Sequence, residues 1–174
     1  MRAGAVTLYV GGEPDALADA EPVLSSYAQT IHHVGDAGSG YLVKLLINLL
    51  WFGQATLTTE ALLIAQRHGL ALPLLQRVIR GSAGEGAFTT HHLPGLLWGD
   101  YMTDFGLDRC VEELDAIEQT AERVGVPHPT TSSIASVHRL ALAEYGPVDG
   151  ELLAAAWLGR HAGLPLPAEG DPSN

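Results

Sequence analysis

The chain has a single cysteine, Cys110, among 174 residues, so no internal disulfide can brace the fold and side-chain packing must hold it. Basic residues are also scarce. Nine Lys and Arg against twenty Asp and Glu give a formal charge of −11, which argues against a phosphate backbone or an anionic membrane surface as partner. No HExxH or cysteine-rich spacing is present, so the eight histidines, among them His32, His33, His68, His91 and His92, suggest no metal site. Internal repeats and low-complexity tracts are missing too. The opening MRAGAVTLYVGG has no apolar core of signal-peptide length, and the expectation is a cytoplasmic protein. The apolar run over residues 41–53 falls short of the ~20 residues a bilayer requires. It is also interrupted by Lys44 and Asn48, so a buried helix is expected instead of a membrane span.

Hydrophobic residues make up 47% and charged residues 17% of the chain, a globular composition. The length suits one domain, or one domain and part of another. Residues 165–174, LPAEGDPSN preceded by proline, read as a flexible tail. Residues 5–10, AVTLYV, form a short strand-favouring run closed by Gly11 and Gly12, and residues 30–34, TIHHV, form a second. Between them a helix opens after Glu13 and Pro14, and Pro22 is expected to break it in two. A long helix is predicted over residues 38–68, ended by Gly69. Its first half is apolar on nearly all faces, so neighbours are expected to surround it as the spine of the fold. Helices over 73–80, 88–97, 106–124, 131–145 and 149–161 complete a mainly α fold, a helical bundle around one long central helix preceded by a short β segment. In the 106–124 helix, Leu107, Cys110, Leu114, Ile117, Ala121 and Val124 alternate spacings of three and four, the pattern of a packed seam. Cys110 sits in that seam as core, and most of the acids from Glu112 to Glu122 belong to the solvated face.

Lys44 and Asn48 are the polar pair in this apolar helix, and an i, i+4 spacing places them on one face. An ammonium taken out of water is costly and is suited to proton exchange with a substrate oxygen. Just before it, Gly35, Gly38 and Gly40 allow close backbone approach, and the helix start offers N–H donors to an anion. The same features also arise in ordinary turns and in snorkelling lysines.

The runs VTLYVGGEPDALADAEPVL, IHHVGDAGSGYLVKLLIN and EALLIAQRHGL resemble the β-hydroxyacid dehydrogenases, the family of 3-hydroxyisobutyrate dehydrogenase, with 6-phosphogluconate dehydrogenase and the imine reductases as relatives. The matching positions are Val10, Gly11, Gly12, His33, Val34, Gly35, Lys44, Leu45, Asn48 and Glu60, and the likeness runs over residues 3–164. The resemblance implies that Lys44 is the catalytic lysine and Asn48 a substrate-binding residue. It implies NAD or NADP as cofactor, with Gly38, Gly40, Phe105 and Glu113 as cofactor-binding positions. It also implies a small-molecule substrate and a homodimer.

The departures are specific. Ile47 stands where the family often has a first asparagine before Asn48, and Glu112 and Glu113 stand where a Lys-Asp pair is expected after Phe105. The GxGxxG turn and the Ser-Gly-Gly loop of the family are missing, so residues 1–36 are expected to be the end of a dinucleotide-binding domain whose remainder is lost or lies on another polypeptide. Residues 37–164 are then a helical substrate and dimerisation domain. The functional expectation is an NAD(P)-dependent oxidoreductase acting on a small hydroxy acid or related carbonyl. The alternatives are a noncatalytic helical dimerisation or ligand-binding module, and an imine reductase-like activity.

Overall fold

The computed structural model describes residues 6–164 and residue 166, so the expected tail lies outside the described residues except for Leu166. The chain divides into two compact units, Met1–Asn48 and Leu49–Asn174. The long helix α2, Ser39–Arg67, runs through the division.

In the first unit, strand β1 (Val6–Val10) pairs in parallel with β2 (Ala28–His33), with Tyr9 opposite His32 and Val10 opposite His33. Parallel strands need a crossover, and helix α1 (Pro14–Leu24) supplies it. Pro22 does not split this helix, contrary to expectation. It falls in the last turn, so its missing N–H costs one bond near the end, and the Ser25 N–H still reaches the Glu21 carbonyl at 2.8 Å. The first strand and α2 meet through two glycines. A Cβ on Gly40 would lie 2.2 Å from the Tyr9 carbonyl oxygen, and one on Gly11 would lie 2.3 Å from the Asp36 carbonyl oxygen. Only glycine fits either place, which seats the N-terminus of α2 against the carboxyl end of β1.

The second unit is helical: the remainder of α2, then α3 (Leu72–Ile79), α4 (Ala87–His91), α5 (Leu93–Leu97), α6 (Leu107–Arg123), α7 (Pro129–Tyr145) and α8 (Leu153–His161). The single helix expected over 88–97 is two. Pro94 has no N–H to continue the ladder, and the chain bends at His92. The last helix starts at Leu153, later than the expected 149, because residue 149 bridges to Gly106 and Gly150 N–H is held by the Phe105 carbonyl. The main core gathers Ala55, Leu62 and Leu63 of α2 with Leu72, Phe88, Leu93, Leu96, Leu152 and Ala155. A second cluster joins Leu107, Ala141 and Ala154. Along α6, Leu107, Cys110, Leu114 and Ile117 are buried as the seam requires, whereas Val124 lies past the helix end and is exposed.

The expectation that neighbours surround α2 is corrected. Leu46 is 46% exposed, and Leu50, Leu57 and Ile64 are 66%, 58% and 63% exposed. An all-apolar stretch says that every face prefers cover, yet it does not supply the cover, and this chain buries only the side bearing Phe52, Ala55, Thr59 and Leu62. By length and composition α2 is also the one helix among the described residues that would pass as a membrane span, with 33% of its most apolar window buried.

Candidate active site

The carboxyl ends of β1 and β2 lead directly to the start of α2. The Val34 N–H donates to the Val10 carbonyl at 2.9 Å, the Gly12 N–H donates to the Gly35 carbonyl at 2.8 Å, and His33 Nε2 donates to the Gly12 carbonyl at 2.7 Å. His32 stacks its ring on Tyr9 at 5.7 Å between centroids. The adjacent histidines are thus occupied with the strand ends. Among the described residues no group of three His, Cys, Asp or Glu is placed to hold a metal ion.

In the second turn of α2, Lys44 Nζ donates to Asn48 Oδ1 at 2.5 Å. The i, i+4 prediction is met in detail: an ammonium and an amide share one helix face and touch. Their surroundings differ from the dry site expected, because Lys44 is exposed and Asn48, 8% exposed, is the buried member. The long lysine stem carries the charge outward while the short asparagine stays at the helix surface. Charge-assisted hydrogen bonding fixes where the Nζ protons point, as a proton donor requires.

Gly38 and Gly40 serve different ends. The Cβ space at Gly40 is filled by the Tyr9 carbonyl, so this glycine works in packing. Gly38 has φ +94° and open space where a side chain would be, as does Gly12 at φ +150°. The Gly12 N–H and carbonyl are already paired with Gly35 and His33, whereas Gly38, exposed at the N-terminus of α2, leaves backbone that an anionic group such as a dinucleotide phosphate can approach. This is the observation on which the residues present accommodate NAD or NADP.

The other expected cofactor positions belong to the second unit. Phe105 is half-buried and its carbonyl accepts from Gly150 N–H at 2.9 Å; Glu113 is half-buried on α6, and Glu112 is exposed. Glu60 is exposed on α2. Cys110 is fully buried, its Sγ donating to the Gly106 carbonyl at 3.3 Å, and burial pushes the thiol far up, so it is no nucleophile.

One cluster was not legible in sequence. Trp51 meets His92 edge to face at 4.6 Å and Phe88 at 5.4 Å, and Trp51 Nε1 is buried with no hydrogen-bond partner. Burial, then the neighbouring His91, holds the His92 imidazole below its ordinary range, with Asp100 opposing. Of the adjacent histidines, His91 is exposed and His92 packs on the two aromatic rings.

Comparison with known proteins gives the class first. Relatives with related sequences are dehydrogenases and reductases. The chain is 30% identical over 131 residues to 2-(hydroxymethyl)glutarate dehydrogenase of Eubacterium barkeri, covering 75% of this chain and 44% of that protein. It is 29% identical over 144 residues to a probable mitochondrial 3-hydroxyisobutyrate dehydrogenase of Arabidopsis thaliana, covering 79% and 42%. The solved Mycobacterium tuberculosis 3-hydroxyisobutyrate dehydrogenase, in a structure with L-serine, superposes with a TM-score of 0.77 at 25% identity, covering 89% of this chain and 54% of that one. Residues 38–158 match the family described as NAD-binding of NADP-dependent 3-hydroxyisobutyrate dehydrogenase, and the chain belongs to that family. It spans about half the length of these relatives.

Proposed function

We propose that this chain is the helical part of an NAD(P)-dependent oxidoreductase that interconverts a small hydroxy acid and the corresponding carbonyl compound, in the cytoplasm and as a homodimer. The contact of Lys44 Nζ with Asn48 Oδ1 carries the reading, since it sets an oriented proton donor on α2 beyond the strand ends. Lys44 gives a proton to the carbonyl oxygen in reduction and takes one from the hydroxyl in oxidation; Asn48 orients the lysine and the substrate. When bound, the nicotinamide supplies or accepts the hydride. The open backbone at Gly38 would hold an anionic part of the cofactor, and Gly40, Phe105 and Glu113 are assigned to it by family likeness. In this reading residues 1–36 are the end of the dinucleotide-binding domain and 37–164 the substrate and dimerisation domain.

Glu112 and Glu113, in place of the Lys-Asp pair, favour a second reading, a noncatalytic helical module. A fluorescence titration with NADH and with NADPH separates the two. Saturable binding of either is expected. The absence of both signals at millimolar nucleotide would show that this chain's own residues do not hold the cofactor, and would favour the module unless a separate nucleotide domain restores binding.

A further inference from the structure

We propose that the groove between the C-terminal end of α2 and the segment following α8 binds a small aliphatic monocarboxylate, with its hydrocarbon tail on the leucines and its carboxylate on Arg67. The groove belongs to the second unit, and the proposal does not rest on the oxidoreductase reading.

The groove has a volume of about 300 Å³, with Leu63, Ile64, Arg67 and His68 on one wall and Ala162 and Leu164 on the other. That is the lower end of the ~300–1,000 Å³ of small-molecule sites, which suits a ligand of a few carbons. Backbone bonds hold the walls in place. Gly69 at φ +78° and Gly163 at φ +66° end α2 and α8 in the same way. The Leu70 N–H donates to the Ala65 carbonyl at 3.0 Å and the Leu164 N–H to the Gly159 carbonyl at 2.9 Å, so each helix closes on its own last turn. The Ala162 carbonyl, at the end of α8, accepts from Arg67 Nη2, which ties the two walls together.

Charge decides which polar group the ligand carries. Arg67 and His68 are exposed, and residues 61–84 contain no Asp or Glu. Among the described residues the arginines in ion pairs are Arg139 and Arg160, so Arg67 has no carboxylate partner there. Its bond to Ala162 uses one N–H of the five a guanidinium carries. The polar side chains of the groove therefore offer donors and positive charge with no acid to neutralise them, while the rest of its lining is aliphatic. A neutral hydrocarbon would leave the guanidinium unmatched and an amine would be repelled. A carboxylate on a short chain pairs with Arg67 and covers Ile64, which is 63% exposed.

The test is calorimetric titration of the full chain with sodium hexanoate and with hexanamide as its neutral match, while amide shifts of the isotope-labelled chain locate the contact. Hexanoate should saturate at millimolar concentration, shift the Ala162 and Leu164 amides and raise the melting midpoint. Hexanamide should bind roughly tenfold more weakly. Arg67→Gln should weaken hexanoate by a similar factor, and Arg67→Lys by less. Ile64→Trp, which fills the groove from an exposed position, should abolish binding; Arg77→Gln, exposed outside the groove, should leave it unchanged. A failure of hexanoate to saturate would overturn the proposal. So would equal affinity for hexanamide, binding that both Arg67→Gln and Ile64→Trp leave intact, or binding lost in Lys44→Ala, which would place the carboxylate at Lys44 instead. Binding that appears only when Glu169→Gln and Asp171→Asn are combined would give the groove to the chain's own C-terminal residues, and that result also counts against the proposal.

Discussion

Gly40→Ala sets two effects of opposite sign against each other. In an exposed helix position, replacing glycine with alanine stabilises by about 0.5–1 kcal/mol, because alanine loses less backbone entropy on folding. At residue 40 the new Cβ would lie 2.2 Å from the Tyr9 carbonyl oxygen, 3.0 Å from its carbon and 3.3 Å from the Gly11 nitrogen. All three are backbone atoms, so relief requires β1 and α2 to move apart. Overpacking costs about 1–3 kcal/mol, and contact with backbone belongs at the top of that range. The net is a loss of about 2 kcal/mol, or roughly 4–8 °C in Tm for a chain of this size if the transition is cooperative. Urea and thermal denaturation followed by circular dichroism measure it. An unchanged or raised Tm, as helix propensity alone predicts, would refute the close approach. Unchanged stability with lost NADH binding would instead return Gly40 to a cofactor role.

The remaining predictions concern the second unit. Leu62→Ala removes a fully buried side chain from the main core and should cost about 2–5 kcal/mol in urea denaturation, with a loss under 1 kcal/mol showing that the core does not rest on it. His138 of α7 is buried against Phe52, its Nδ1 donating to the Ile134 carbonyl at 2.9 Å, and burial holds its imidazole below the ordinary 6.5. The unfolded chain therefore binds protons first as pH falls, so stability is full above 6.5 and declines below it. His92 is depressed in the same direction. Denaturation midpoints at pH 8 and pH 5 should differ in that sense, and His138→Gln should reduce the difference; equal midpoints would refute the buried neutral histidine. Arg139→Ala removes exposed pairings with Asp115 and Glu118 between α6 and α7 and should cost no more than about 1 kcal/mol.

The features legible in sequence were those set by local rules. The seven-residue spacing of Leu107 and Leu114, the helix end at Gly69 and the i, i+4 placement of Lys44 and Asn48 depend only on backbone geometry. Pro22 is expected to break its helix and does not, whereas Pro94 divides the run predicted as one helix. A proline's effect depends on whether a turn of helix remains to be lost beyond it, and α1 stops two residues after Pro22, whereas Pro94 falls inside the predicted run. The exposure of Leu46, Leu50, Leu57 and Ile64 was hidden because apolar character records what a residue prefers and not whether a neighbour is present. For the same reason the exposed position of Lys44, and the contact of Trp51 with His92 across forty-odd residues of chain, had no local signature.

The most direct test of the account is the rate of Lys44→Ala beside wild type, with NAD⁺ and NADP⁺ offered alongside a panel of small hydroxy acids and nicotinamide absorbance followed to steady state. In a form of the protein that carries a nucleotide domain and turns over, the account predicts a kcat lower by roughly 10²–10⁴ in the variant, with its melting curve unchanged. A variant rate within a few-fold of wild type would contradict it.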